Sequence, residues 1–184
     1  MRKLITFMTT KAGLEVRQGT TRKERKGWRT ERGALYVRAF EFSDGQKTKE
    51  IVMKVAGNEA FALSRKIQEV VKEKPEKPVG VLVHRVETDR GEITTKLGLE
   101  VFSKNDRVFV AVIVIRVEGE QKTRVNVPLS VSDALYLAEV LRVWSVEILW
   151  EEVEEVKPEE EAEFEGTEGA IEDGIPEDED DLPF

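Results

Sequence analysis

Apolar and polar positions alternate along the first 150 residues in short runs, and twice the alternation gives way to helical spacing. LITFMTT, GLEVRQ, ALYVRAFEF and KEIVMKVA carry the period of two and the β-branched content of strands. Ser43-Asp44-Gly45-Gln46 reads as a hairpin turn between the last two of them. FALSRKIQEVV then spaces its apolar residues three and four apart, which predicts a helix with Asn58 as N-cap and Glu59 in its first turn. KPEKP stops it with two prolines. VGVLVHRVE, ITTKLGLEVF, RVFVAVIVIRV and TRVNVPLS repeat the order, with turns at residues 88–92, 103–106 and 118–121. A second helix is expected from Ser132, its N-cap, to about Val156. Leu137, Leu141, Trp144 and Ile148 make one apolar stripe along it, and Leu149, Trp150 and Val153 prolong it.

The two halves are copies of one plan. KAGLEVRQ at residues 11–18 returns as KLGLEVFS at 96–103, and GQKTKEIVMKV returns as EQKTRVNVPLS. Ile51, Met53 and Val55 fall on Val125, Val127 and Leu129, 74 positions later, and Asn58-Glu59-Ala60 falls on Ser132-Asp133-Ala134. The offset changes only at turns, where insertions are tolerated. The expected fold class is α+β: two ββββα repeats, about 1–74 and 79–156, forming antiparallel sheets packed with helices in one domain, 1–156. Beyond it, residues 157–184 are acidic, Gly-bearing and aperiodic, so a disordered tail is expected.

The repeats differ most between their second and third strands. Where the second half has only SKND, the first inserts QGTTRKERKGWRTERG, residues 18–33. This stretch holds Arg22, Lys23, Arg25, Lys26, Arg29 and Arg32 around Trp28, with two acids. It reads either as a solvated charged hairpin tip or as a nucleic-acid arm. Stacking a base on an aromatic contributes about 1–3 kcal/mol, and guanidinium groups hold the neighbouring phosphates. In the following strand Leu35, Val37 and Ala39 point to the core, so Tyr36, Arg38, Phe40 and Phe42 point away. That outer face is either a stacking platform for splayed bases or a surface covered by another layer or subunit. Its counterpart, Phe109, Ala111, Ile113, Ile115 and Val117, is too apolar for water and is expected to be buried or to form a subunit contact.

Charge sharpens the picture. The net charge of −8 hides an asymmetry: residues 151–184 carry 17 acids against Lys157, while residues 1–150 carry 28 Lys and Arg against 20 Asp and Glu. A basic body with an acidic tail points to nucleic acid and an interaction tail. With no cysteine, disulfides and thiolate chemistry are excluded. His84, the single histidine, sits in a strand with no companion ligands and reads as structural, so no metal and no cofactor are expected. GTEGAIEDG lacks the Lys-Ser/Thr ending of a phosphate loop, and no catalytic constellation is present, so an enzyme is not expected. No run is long enough to cross a membrane and the N-terminus is too polar for a signal peptide, so a cytoplasmic location is expected. The abundance of charge and scarcity of Asn and Gln match thermophilic compositions.

The closing EDEDDLPF resembles the C-terminal tip of bacterial single-stranded DNA-binding proteins, with Asp180, Asp181, Leu182, Pro183 and Phe184 matching residue by residue. The resemblance implies docking on replication and repair enzymes, Phe184 in a pocket and its carboxylate on a basic residue. The body does not resemble that family's five-stranded barrel. Its two ββββα halves instead resemble, in element order, the Whirly and PUR-repeat proteins, which bind single strands on sheet surfaces. The expectation is therefore a homo-oligomeric protein that coats single-stranded DNA without strong sequence preference and recruits replication and repair partners. An RNA- or duplex-DNA-binding regulator and a non-binding homo-oligomeric assembly protein are the alternatives.

Overall fold

The computed structural model describes residues 1–25, 28–89 and 91–155, of which residues 24, 25, 28 and 151–155 are described by their backbone alone. Among the described residues the protein is α+β, with two four-stranded antiparallel sheets and two helices, and a fifth strand added to the first sheet. Strands β1 (Arg2–Met8), β2 (Ala12–Arg25), β3 (Trp28–Ser43) and β4 (Gln46–Val55) lie side by side in chain order, followed by α1 (Gly57–Glu73). Then β5 (Val79–Thr88), β6 (Gly91–Lys104), β7 (Arg107–Glu118), β8 (Gln121–Ser130) and α2 (Val131–Glu147) repeat the arrangement. The turn after β3 puts Asp44 and Gly45 at φ 52° and 76°, the left-handed pair that a tight hairpin requires.

Both helices are 17 residues long, and their caps, Ala56 and Ser130, lie two residues before the predicted caps Asn58 and Ser132. Ser130 is the cap of α2, its Oγ accepting from the Asp133 N–H at 3.1 Å. Ala56, at the same place before α1, has no side-chain acceptor. There Glu59 turns back and accepts the Ala56 N–H at 2.9 Å. The other carboxylate oxygen of Glu59 meets His84 Nε2 on β5 at 2.7 Å, so the histidine ties α1 to the second sheet.

The second helix does not run to Val156. It ends at Glu147, and after a turn Glu151–Glu155 forms β9, antiparallel to Arg32–Trp28 of β3. Glutamate favours helix intrinsically, but β4 leaves the edge of β3 unpaired beyond Leu35, and an open edge recruits backbone. Gly33 permits the crossing: a Cβ there would lie 2.6 Å from the carbonyl oxygen of Ile148.

The repeat preserves phase but not every register. Ala39 pairs with Ile51, and Val114, 75 positions later, pairs with Val125, so β3–β4 superposes on β7–β8. Leu14, however, faces Ala39, whereas its sequence mate Leu99 faces Val112 and Val114 faces Leu97. The slip is two residues, which leaves every side chain on its own face.

Leu14, Val16, Leu35 and Val37 from one sheet, Leu97, Leu99, Val112 and Val127 from the other, and Leu63, Ile67, Leu137 and Leu141 from the helices form a single core. Each such side chain contributes about 1.5–3 kcal/mol by leaving water. The halves interlock: α1 packs on α2 and touches β5 and β6, α2 touches β1, and β8 lies against β2, β3 and β4. The apolar stripe predicted for α2 is thereby used within the chain, Leu137, Leu141 and Ile148 being buried and Trp144 partly so. Among the described residues no helix is long and apolar enough to cross a membrane, and no cluster of metal-ligating side chains occurs.

Candidate nucleic-acid interface

β2 and β3 outrun their neighbours. β1 pairs with β2 only as far as Gln18, opposite Arg2, and β4 pairs with β3 only from Leu35 onward. The predicted insertion is thus no loop. It continues the hairpin in unbroken register to Arg25 opposite Trp28, with β9 alongside Trp28–Arg32 as a third strand.

Strand alternation sorts the charges of this arm. On the face continuous with the core, Arg22 lies opposite Glu31 and Glu24 opposite Arg29. Arg22 Nε donates to Glu31 Oε2 at 2.7 Å, and this bond, seconded by Thr20, holds the Glu31 carboxyl below its usual pKa. On the other face the register places Lys23, Arg25, Trp28 and Arg32, with only Thr21 and Thr30 between them. No carboxylate of β2 or β3 shares this side of the arm. The acidic strand enters from the edge, its register placing Glu151, opposite Arg32, and Glu155, opposite Trp28, on this side and Glu152 and Glu154 on the other.

Toward the sheet, the same face changes character. Tyr36 is half-buried, its ring across Gly19 and its hydroxyl donating to the Thr20 carbonyl at 3.3 Å. Phe40 is buried, 6 % exposed, its ring packed on Gly13, where an added Cβ would fall 2.4 Å from it. Phe42 meets it edge-on at 5.3 Å. Arg38 stands over Phe40, its guanidinium carbon 5.3 Å from the ring centroid. It donates through Nε and Nη2 to Glu50 at 2.6 and 3.0 Å and through Nη1 to Glu15 at 3.2 Å. Arg17 holds Glu15 from the other side at 2.6 Å, and Lys47 binds Glu50. Glu15 is buried, and its pKa is lowered first by the Arg17 hydrogen bond and then by Arg38, against the upward pull of burial.

The residues singled out in the sequence therefore separate. Lys23 and Arg32 share one face of the arm with the register positions of Arg25 and Trp28, and Tyr36 lies at its base. Arg22 and Arg29 belong to the opposite face. Arg38 and Phe40 correct the open-platform expectation: one is engaged by two carboxylates and the other is roofed by it. Lys26 and Asp180, Asp181, Leu182, Pro183 and Phe184 lie outside the described residues. Lys54 was missed. It faces Tyr36 across the β3–β4 hairpin through a one-residue register shift between Glu41 and Phe42, which the Asp44-Gly45 turn alone does not imply.

The outer face of the second sheet buries Ala111 and Ile113 within the chain. Glu100 flanks Ala111 and Arg124 flanks Ile115, so their contact at 3.8 Å spans Ile113. Phe102 and Phe109 stack beside it at 5.5 Å.

The arrangement defines a class, a duplicated ββββα protein that carries a one-sided cationic arm on its first sheet. Among solved structures the chain is similar to the plant transcriptional regulator PBF-2, at TM-score 0.52 and 11 % identity, over 80 % of this chain and 83 % of that one. It is similar to WHY1 from Arabidopsis thaliana (TM-score 0.53, 14 % identity, 80 % of this chain and 92 % of that). WHY3 from the same plant aligns at TM-score 0.51 and 15 % identity, over 78 % and 86 % of the two chains. Identities this low establish the shared fold alone. Neither a protein-family model nor a curated protein matches the sequence.

Proposed function

We propose that the protein binds single-stranded DNA along the cationic face of its arm, without strong sequence preference, and that it acts as a binding protein rather than an enzyme. The observation that carries this is the sorting of charge by strand register: Lys23, Arg25, Trp28 and Arg32 fall on one side, while Arg22, Glu31, Glu24 and Arg29 fall on the other. Cations hold phosphates irrespective of sequence and an aromatic stacks on any base. The fold shared with a plant transcriptional regulator supports a nucleic-acid role. A two-stranded ribbon suits the major groove of duplex DNA, and the third strand at Trp28–Arg32 widens the arm beyond that shape, which favours a single strand. The DDLPF tip is read as the handle for replication and repair proteins.

Self-association is part of this reading. Leu135, Tyr136, Val143, Val146 and Leu149 stay exposed on and just beyond α2 after its buried face is satisfied, which supports a homo-oligomer built on that surface. The deciding experiment is a titration of labelled oligothymidylate and of a duplex of equal length. Preference for the single strand, weakened about tenfold by Trp28→Ala without a fall in melting temperature, is expected. Equal or better binding of duplex overturns the reading. Light scattering on Val146→Glu reports the assembly, a smaller particle being expected.

A further inference from the structure

Between the end of β4 at Val55 and the start of β9 at Glu151, the edge of β3 is open at Gly33 and Ala34. A cavity of about 630 Å³ lies there, within the range of small-ligand sites. Thr21, Lys23, Thr30, Arg32 and Lys54 supply its polar wall, and Ile148, Leu149 and Trp150 its apolar one. Three features single it out. On this face Arg17 and Arg38 are held by Glu15, and Lys47 by Glu50. Lys23 and Lys54, by contrast, have no ion pair among the described residues, which leaves positive potential focused in a concave site. The Thr21 hydroxyl oxygen is buried with no hydrogen-bond partner, a destabilising arrangement that a bound group relieves. Trp150, half-buried, offers a flat apolar surface opposite these polar groups.

We infer that this cavity receives one nucleotide of the bound strand, with its phosphate on Lys23 and Lys54 beside Arg32, its base against Trp150, and a polar atom of the nucleotide on the Thr21 hydroxyl. The inference rests on the single-strand reading above. It turns the arm from a general cationic face into a track with one defined anchoring point at its base. An anion alone satisfies the lysines but leaves the indole wall unused, and an apolar ligand leaves the lysines unused; a nucleotide uses both.

The test measures anisotropy of labelled oligothymidylate through a salt series, with thymidine monophosphate as a second probe. Lys23→Ala and Lys54→Ala are each expected to reduce the log–log salt slope by about 0.7, one phosphate contact. Lys77→Ala, in the exposed linker before β5, controls for net charge and is expected to leave the slope unchanged. Trp150→Ala is expected to weaken binding about tenfold. Thr21→Val is expected to weaken binding without lowering the melting temperature, because it removes a hydroxyl the empty fold does not satisfy. If the parent protein binds the strand but Lys54→Ala and Trp150→Ala behave like Lys77→Ala, the cavity is not an anchoring point, and the single-strand reading survives. Binding of the monophosphate with no binding of oligothymidylate overturns both.

Discussion

Replacing Arg38 with alanine separates a scaffold role from a DNA contact. The side chain is 24 % exposed and makes three hydrogen bonds, two to Glu50 and one to Glu15, while covering Phe40. Complete loss of the partner of a buried charge costs about 3–5 kcal/mol. Here Glu15 keeps Arg17, and Glu50, 28 % exposed, keeps Lys47 and water, so the ionic loss falls to about 1–2 kcal/mol. Uncovering the Phe40 ring adds about 0.5–1 kcal/mol. At about 2–4 °C per kcal/mol for a chain of this size, the melting temperature should fall by about 3–12 °C. DNA affinity of the folded variant should stay within about twofold and the salt slope should not change, since all three donor nitrogens already serve carboxylates. Calorimetry and anisotropy on one preparation give both numbers. An unchanged melting temperature with a slope lowered by about 0.7 refutes the argument, because it means that Arg38 leaves its carboxylates for a phosphate.

The lowered pKa of Glu15 means that its contribution to stability is fully present above the ordinary carboxylate value of about 4.3 and is lost as pH falls through its lower folded value. The melting difference between the parent and Glu15→Gln should accordingly be largest near neutrality and shrink only in acid; a difference independent of pH rejects the network as its source. Gly33→Val puts side-chain atoms where Ile148 backbone atoms stand 2.6 and 2.9 Å from the new Cβ, so it should cost about 1–3 kcal/mol, read as a lower melting temperature; a parent-like value shows that α2 does not end against β3. Deleting residues 159–184 should tighten oligonucleotide binding at low salt by removing a tethered polyanion, and deleting Phe184 alone should not; equal affinity with and without the tail refutes the competition.

What the sequence made legible was local. Alternation in ALYVRAFEF assigns Leu35, Val37 and Ala39 to the core and Arg38 and Phe40 to the other face, and the structure keeps both assignments. It carries no information on what meets Arg38, because Glu15 and Glu50 come from two other strands and reach it only through register. The two-residue slip between Leu14 and Leu99 was invisible for a related reason: a shift of two conserves the apolar phase on which the alignment of repeats relied. β9 was hidden more deeply. EEVEE has the propensity of a helix, and the decisive influence, the open edge of β3 at Trp28–Arg32, lies more than 100 residues away in the chain. Trp150 was therefore read as part of a helix, and its place beside Lys23 and Lys54 had no local signal.

The two repeats show how one backbone plan serves two purposes. In the second sheet the middle strand offers Ile113, and Glu100 and Arg124 close over it from the flanking strands. In the first, the middle strand offers Arg38, and both flanking strands answer with carboxylates. Each solution neutralises the outer face where a strand has neighbours on both sides. The arm escapes that logic because β1 and β4 stop short of it, so no third strand of the original plan can supply acids to Lys23, Arg25 and Arg32. By register β9 brings acidic positions alongside the arm, Glu151 opposite Arg32 and Glu155 opposite Trp28, with one apolar residue, Val153, in five.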